Sequence, residues 1–247
     1  MGRQKNRPIV LSIAGFDPSG GAGVLADIKT FEQLEVQGMA IITANTIQTE
    51  NTLSYVDWLD IKVIRRGIEV LMQRYMITVV KIGIIKNVAF LEDILTCVRA
   101  CNPGVFIIWD PVLKSSSGAV FFQEDGGRSL AAVINHIDLI TPNFDEYQIL
   151  EPYFKNDFSN ALLIKGGHRD DHTGMDVLRQ GTAVSEIHPH APKIYPKHGS
   201  GCVLSSAVAA YIAWGNGLEE ACRKAKVYTE RFLNSHSSLL GFHYENK

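Results

Sequence analysis

Long apolar runs, a surplus of charge and a dense set of cysteines are all missing from this 247-residue sequence. The first apolar stretch, Ile9–Ala14, is far shorter than the roughly twenty residues that span a bilayer and too short for a secretory segment, so no membrane partner is expected. Asn6 stands where amino-terminal myristoylation would need Ser or Thr. The four cysteines, Cys97, Cys101, Cys202 and Cys222, are too few for a disulfide scaffold in a chain this large. They read as free thiols in a reducing compartment, and a cytoplasmic location is expected. With 24 basic and 26 acidic residues the formal net charge is −2, so nothing draws the chain to a phosphate backbone, and no nucleic-acid partner is expected. No repeat, low-complexity tract or linker divides the chain, which implies one domain over residues 1–247. A Ser-His-Asp order, a nucleophile elbow and paired carboxylates are absent too. Neither Cys97 with Cys101 nor the scattered histidines, His188 and His190 among them, have metal-site spacing, so no transition metal is expected.

What remains is a chain 46% hydrophobic and 20% charged, enough for a sizeable core. Val- and Ile-rich segments alternate with amphipathic ones, the pattern of βαβ units around a mostly parallel sheet, hence an α/β fold. Strands are expected over Ile9–Ala14, Ala40–Thr43, Val79–Ile82, Val105–Trp109, Leu139–Thr141 and Ala161–Ile164. Helices are expected over Gly23–Leu34, Ile61–Met72 and Cys202–Trp214. The stretch Gly166–Lys197 reads as irregular around one or two short strands, with Ala183–Ile187 the best candidate.

Three motifs stand where strands give way to helices. The first runs Gly15-Phe16-Asp17-Pro18-Ser19-Gly20-Gly21-Ala22-Gly23. No lysine follows Gly23, so it is no nucleotide P-loop. Gly21–Ala26 matches a dinucleotide fingerprint only formally, because Ala40–Gln48 supplies no acidic residue for a ribose. Two readings stay open: a loop whose amides and Asp17 approach a small polar ligand, or a tight β–α turn with glycines for geometry alone. The second motif, His198-Gly199-Ser200-Gly201-Cys202, opens a long helix whose unpaired N–H groups and dipole suit an anion. The same field favours thiolate at Cys202, a candidate base, the alternative being a small buried residue in a helix cap. The third is Thr141-Pro142-Asn143-Phe144-Asp145-Glu146. Asn143 and Glu146 share one face of a first helical turn and suit either a hydrated Mg²⁺ or a capping box. Asp110 and Lys165 end neighbouring strands and suit either metal-bound polyphosphate or a structural ion pair.

Together these residues resemble the hydroxymethylpyrimidine and phosphomethylpyrimidine kinases of thiamine biosynthesis, in the ribokinase-like superfamily that also holds pyridoxal kinases. The resemblance runs over Ile13–Gly23, Ala26–Thr30, Ile42–Ala44 with Gln48, Lys81–Gly83, Asp110–Val112, Thr141–Asn143 with Glu146, Lys165–His168 and His198–Cys202. It implies a three-layer α/β/α sandwich, and ATP with Mg²⁺ as cofactors. By resemblance Gln48 binds the pyrimidine through its side-chain amide, and Gly15, Asp17 and Gly83 line the same pocket. Asn143, Glu146 and Asp110 organise Mg²⁺, while Lys165 and the Gly199–Cys202 turn, through Gly199, Ser200 and Gly201, hold phosphates. Cys202 is the base, and a homodimer is implied. The thiol favours a pyrimidine kinase over the alternative of a pyridoxal kinase, where Asp is usual. A non-catalytic pyrimidine-binding protein, its nucleotide site lost with the short Glu146–Lys165 connection, is the remaining alternative. Lys197 before the turn has no role that the pattern assigns.

Overall fold

Parallel strands buried on both faces are made of nearly continuous apolar residues, because neither face meets water. The computed structural model describes residues 6–114, 122, 129–154, 160–167, 174–191 and 194–244. Its first half runs β1 (Ile9–Phe16), α1 (Gly23–Gln33), β2 (Gln37–Gln48), β3 (Leu53–Trp58), α2 (Ile61–Arg74), β4 (Ile77–Ile82), α3 (Val88–Cys101) and β5 (Phe106–Trp109). The second half runs α4 (Leu130–Val133), β6 (Leu139–Ile140), α5 (Phe144–Leu150), β7 (Ala161–Ile164), β8 (Asp176–Gln180), β9 (Ala183–Ile187), α6 (Ser200–Ala213) and α7 (Leu218–Leu233). His168, at the end of the Lys165–His168 stretch, lies outside the described residues.

The strands form one sheet in the order β3-β2-β1-β4-β5-β6-β7-β8-β9. From β2 to β7 every pairing is parallel, and β3, β8 and β9 are antiparallel additions at the two edges. Successive residues point to opposite faces. Thus Leu11, Val80, Ile107 and Ile140 pack under α2, α3, α4 and α5, whereas Val10, Val79, Ile108 and Leu139 pack under α1, α6 and α7. Helices on both sides of a mostly parallel sheet make the expected three layers.

Two local signals set helix starts. Asp60 caps α2 by accepting from Lys62 N at 2.8 Å, and Asn87 caps α3 by accepting from Phe90 N at 2.9 Å. The expected strands and helices all form, with shifted ends. β2 extends well past Ala40–Thr43 because Ala44–Gln48 pairs with β3, an edge strand the apolar pattern does not announce. In the stretch read as irregular, β8 and β9 form a hairpin that turns at Gly181, whose φ is +58°.

Leu91 is fully buried on α3 against the sheet. Leu91→Ala should lower the unfolding free energy by about 2–5 kcal/mol, read as an earlier midpoint in urea.

Candidate active site

Because six neighbouring strands run the same way, their carboxyl ends meet along one edge, where open α/β sheets bind ligands. Asp17 follows β1, Gln48 ends β2, Gly83 follows β4, Asp110 follows β5, Asn143 follows β6 and Lys165 follows β7. These residues, with Gly15, Glu146 and the turn Gly199, Ser200, Gly201 and Cys202, line one cleft of about 1560 Å³. All twelve candidate site residues therefore face the same space, Gln48 and Cys202 included.

The glycine-rich loop after β1 is drawn up by Asp17. One carboxylate oxygen accepts from Ser19 N at 2.8 Å. The other accepts from Ala22 N at 2.8 Å and Ser19 Oγ at 2.9 Å, and lies 2.8 Å from His198 Nε2. Burial works to raise the Asp17 pKa, but the bonds from His198, Ser19 and Ala22 outweigh it and hold the carboxyl below its ordinary value. Asp17 thus clasps the loop to the His198 turn, and it is the loop backbone that borders the cleft. The loop's glycines are required by geometry: Gly23 has φ +58°, and a Cβ there would stand 2.1 Å from the carbonyl oxygen of Gly15. Gly199 has φ +74°, and a Cβ there would stand 2.0 Å from the carbonyl oxygen of Gly21.

On the opposite side, α6 begins at Gly199 with no side-chain cap. Its first-turn N–H groups are left for a ligand. The Lys165 ammonium hangs over this end, 3.1 Å from where a Cβ on Gly201 would stand. Lys165 Nζ also meets Asp110 Oδ1 at 2.7 Å, so the ion pair between these strand ends is present. Asp110 accepts further from Thr141 Oγ1 at 3.2 Å and Ser205 Oγ at 3.1 Å. Its complete burial would raise its pKa, yet Lys165 and Lys81 keep the carboxyl ionised below the usual range.

The capping box is present as well. Asn143 Oδ1 accepts from Glu146 N at 2.8 Å, and Glu146 Oε2 accepts from Asn143 N at 2.7 Å. The Asn143 amide oxygen is committed to the cap, so what it contributes to the cleft is the orientation of Glu146. Burial pushes the Glu146 carboxyl up to about 7, against the pull of Lys165 and with the help of Asp110. Among the described residues no cluster of three His, Cys, Asp or Glu groups stands ready to hold a metal alone. Two buried carboxylates beside a lysine do suit a hydrated Mg²⁺ that arrives with a polyphosphate, because Mg²⁺ keeps several waters and needs only one or two protein oxygens.

The lowered pKa expected of Cys202 at a helix start is not found. Burial pushes the thiol up to about 11, although Lys81 acts to lower it; Asp110 and Asp27 add to the rise, and the Gly23 backbone works against it. A helix end contributes on the order of 1 kcal/mol, under one pKa unit, and burial is the larger effect. Two further residues belong to the site without having been singled out for a role. Lys81, fully buried in β4, donates to both oxygens of Asp27 at 3.0 and 2.9 Å. A lysine inside an otherwise apolar strand must be paired, and that was the available signal. Lys197, too, has a place: its ammonium donates to the His236 carbonyl, while His198 N donates to Leu239 O at 2.9 Å. Residues 236–240 thereby brace the turn from behind.

Residues 17–245 match the family model for phosphomethylpyrimidine kinase. The chain belongs to the phosphomethylpyrimidine kinase family. It is accordingly a phosphotransferase with the ribokinase-like fold. A hydroxymethylpyrimidine/phosphomethylpyrimidine kinase of Aquifex aeolicus is 36% identical over 96% of this chain and 98% of that one. The crystal structure of a phosphomethylpyrimidine kinase from Clostridium difficile is 29% identical, with a TM-score of 0.74 over 90% of this chain and 98% of that chain. The pyridoxal kinase of Staphylococcus aureus in complex with ADP, at 23% identity and TM-score 0.78 over 93% and 89%, shares the fold.

The raised Glu146 pKa has a stability consequence. The native state holds this proton up to about pH 7, whereas the unfolded chain releases it near 4.5, so ionisation costs stability as pH rises through that window. In a chelator, Glu146→Gln should gain stability relative to the parent between pH 5 and pH 8 by roughly 1–3 kcal/mol, read by denaturant unfolding at each pH.

Proposed function

We propose that the protein transfers the terminal phosphoryl group of ATP to the hydroxymethyl oxygen of 4-amino-5-hydroxymethyl-2-methylpyrimidine. It then phosphorylates the monophosphate to the diphosphate, within thiamine biosynthesis. The observation that carries this reading is the opening of Gln48 and Cys202 on one cleft, beside an uncapped helix end with a lysine above it. Family membership supports the same chemistry.

In this reading the Gln48 amide donates and accepts together, against a ring nitrogen and the neighbouring amino group. Gly15 and Gly83 wall the ring. The Cys202 thiolate takes the hydroxyl proton, the freed oxygen bonds to the terminal phosphorus, and the bridging P–O bond breaks to release ADP. Lys165 and the backbone N–H groups at the start of α6 hold the migrating phosphoryl group and its leaving oxygen as charge redistributes. Mg²⁺, held with its waters through Asp110 and Glu146, would offset the charge of the polyphosphate. For that, Lys165 exchanges its contact with Asp110 for phosphate oxygens. Residues 1–247 work as one kinase domain, supported by two apolar cores built on one sheet. We also place the chain in the cytoplasm, in keeping with its four free cysteines. A homodimer completes the reading; the exposed cross-strand neighbours Ile47 and Tyr55 on the β2–β3 edge offer it an apolar surface.

Turnover of hydroxymethylpyrimidine, with pyridoxal alongside, tests the substrate. Cys202→Ala should keep its fold and lose about 10²–10⁴-fold in kcat on the hydroxymethyl substrate. The second phosphorylation should suffer less, because a phosphate acceptor with a pKa of about 6 is already ionised at neutral pH. Normal first-step turnover would remove Cys202 as the base. Gln48→Ala should raise the KM for the pyrimidine about tenfold or more, leaving that for ATP in place; an unchanged pyrimidine KM rejects the role of Gln48.

A further inference from the structure

A base must spend part of its time unprotonated, and Cys202 is buried where that is costly. The surroundings of its sulfur show what works against the cost. On α1, Gly23 borders the same cleft as Cys202, and Asp27 follows four residues later on the same face of that helix. On α6, Cys202 is followed four residues later by Ser206, whose Oγ donates to Asp27 Oδ1 at 2.6 Å. Two helices thus each contribute an i, i+4 pair to one arrangement, with Lys81 reaching into it from β4. Lys81 Nζ lies 3.4 Å from where a Cβ on Gly83 would stand, at the wall of the cleft that Cys202 also lines.

We propose that Lys81 is a positioning residue for phosphoryl transfer: its ammonium, locked in place by Asp27, is the charge that lets the buried Cys202 thiol give up its proton. The proposal rests on the reading of Cys202 as the base. Lys81 is kept charged by construction. Burial acts to lower its pKa, but Asp27 more than compensates and the ammonium is held above its ordinary value. Asp27 in turn accepts from Ser12 Oγ at 2.5 Å and from Ser206, which fix its carboxylate in place beside the ammonium. The charges facing the sulfur are Lys81 from β4, Asp27 from α1, Asp110 after β5 and Lys165 after β7. Lys81 acts to lower the thiol pKa, and Asp110 and Asp27 act to raise it. Stability gives no sufficient reason for the pair, since apolar residues of similar volume fill such a site as well or better.

Peptide-resolved alkylation of Cys202 by iodoacetamide, followed against pH in the full chain, reads the thiol directly. Asp27→Asn with Lys81→Met removes both charges without leaving one unpaired, which favours a folded variant. Its Cys202 profile should move to higher pH by half to one unit, roughly a threefold to tenfold slower reaction at fixed pH. Lys81→Met alone should move it further in the same direction. Coincident profiles for parent and either folded variant would overturn the proposal. Parallel kinase assays separate it from the reading it rests on. A parent chain that phosphorylates hydroxymethylpyrimidine while the profiles coincide sinks Lys81 alone, whereas a parent chain inactive on that substrate sinks the kinase reading whatever the alkylation shows.

Discussion

Parallel pairing of β1 with β2 on one side and β4 on the other is the constraint from which the site follows. A parallel ladder gives every strand the same direction, so each polar residue placed just after an apolar run arrives at the same edge. The helices then supply what the strands cannot. α1 and α6 both begin at that edge, and α6 opens there without a side-chain cap. No single segment of the chain holds the chemistry; it is assembled by direction.

Much of this was readable because the relevant signals are local. Val79–Ile82 and Ala161–Ile164 are apolar enough to be strands in any context where both faces are covered. Glycines flank Asp17 and Cys202 where backbone must pass close to backbone. Asn143 and Glu146 carry the spacing of a cap, and they form one. The misses are of another kind. β3 is a half-exposed edge strand whose pairing with the end of β2 is decided by hydrogen bonds across the hairpin, not by apolar content. Asp27 and Lys81 are 54 residues apart, and only the fold brings them together. The Cys202 thiol was assigned the wrong direction because a helix start is visible in sequence, whereas the depth at which it is buried is not.

Three buried ion pairs stand in and around the cleft, Asp27 with Lys81, Asp110 with Lys165 and Asp176 with Lys226, and Asp17 lies 2.8 Å from His198 Nε2. Asp176 and Lys226 join the segment after β7 to α7, with Gly166 N donating to Asp176 Oδ1 at 2.9 Å. Buried charge in low dielectric is tolerable only with its partner in reach. The pairs differ in how firmly they are closed. Asp27 and Lys81 are both fully buried, while Lys165 stands partly exposed beside the positive end of α6, where an anion can compete with Asp110 for it.

Gly199 and Gly21 back onto one another so tightly that even a methyl group would collide with the opposing chain. The loop that follows the first strand and the turn that opens the sixth helix are therefore mechanically one part, although 178 positions separate those two glycines in the sequence. Whatever tilts one tilts the other. The two walls of the cleft that these segments form are consequently held at a spacing governed by a seam where two bare backbones touch.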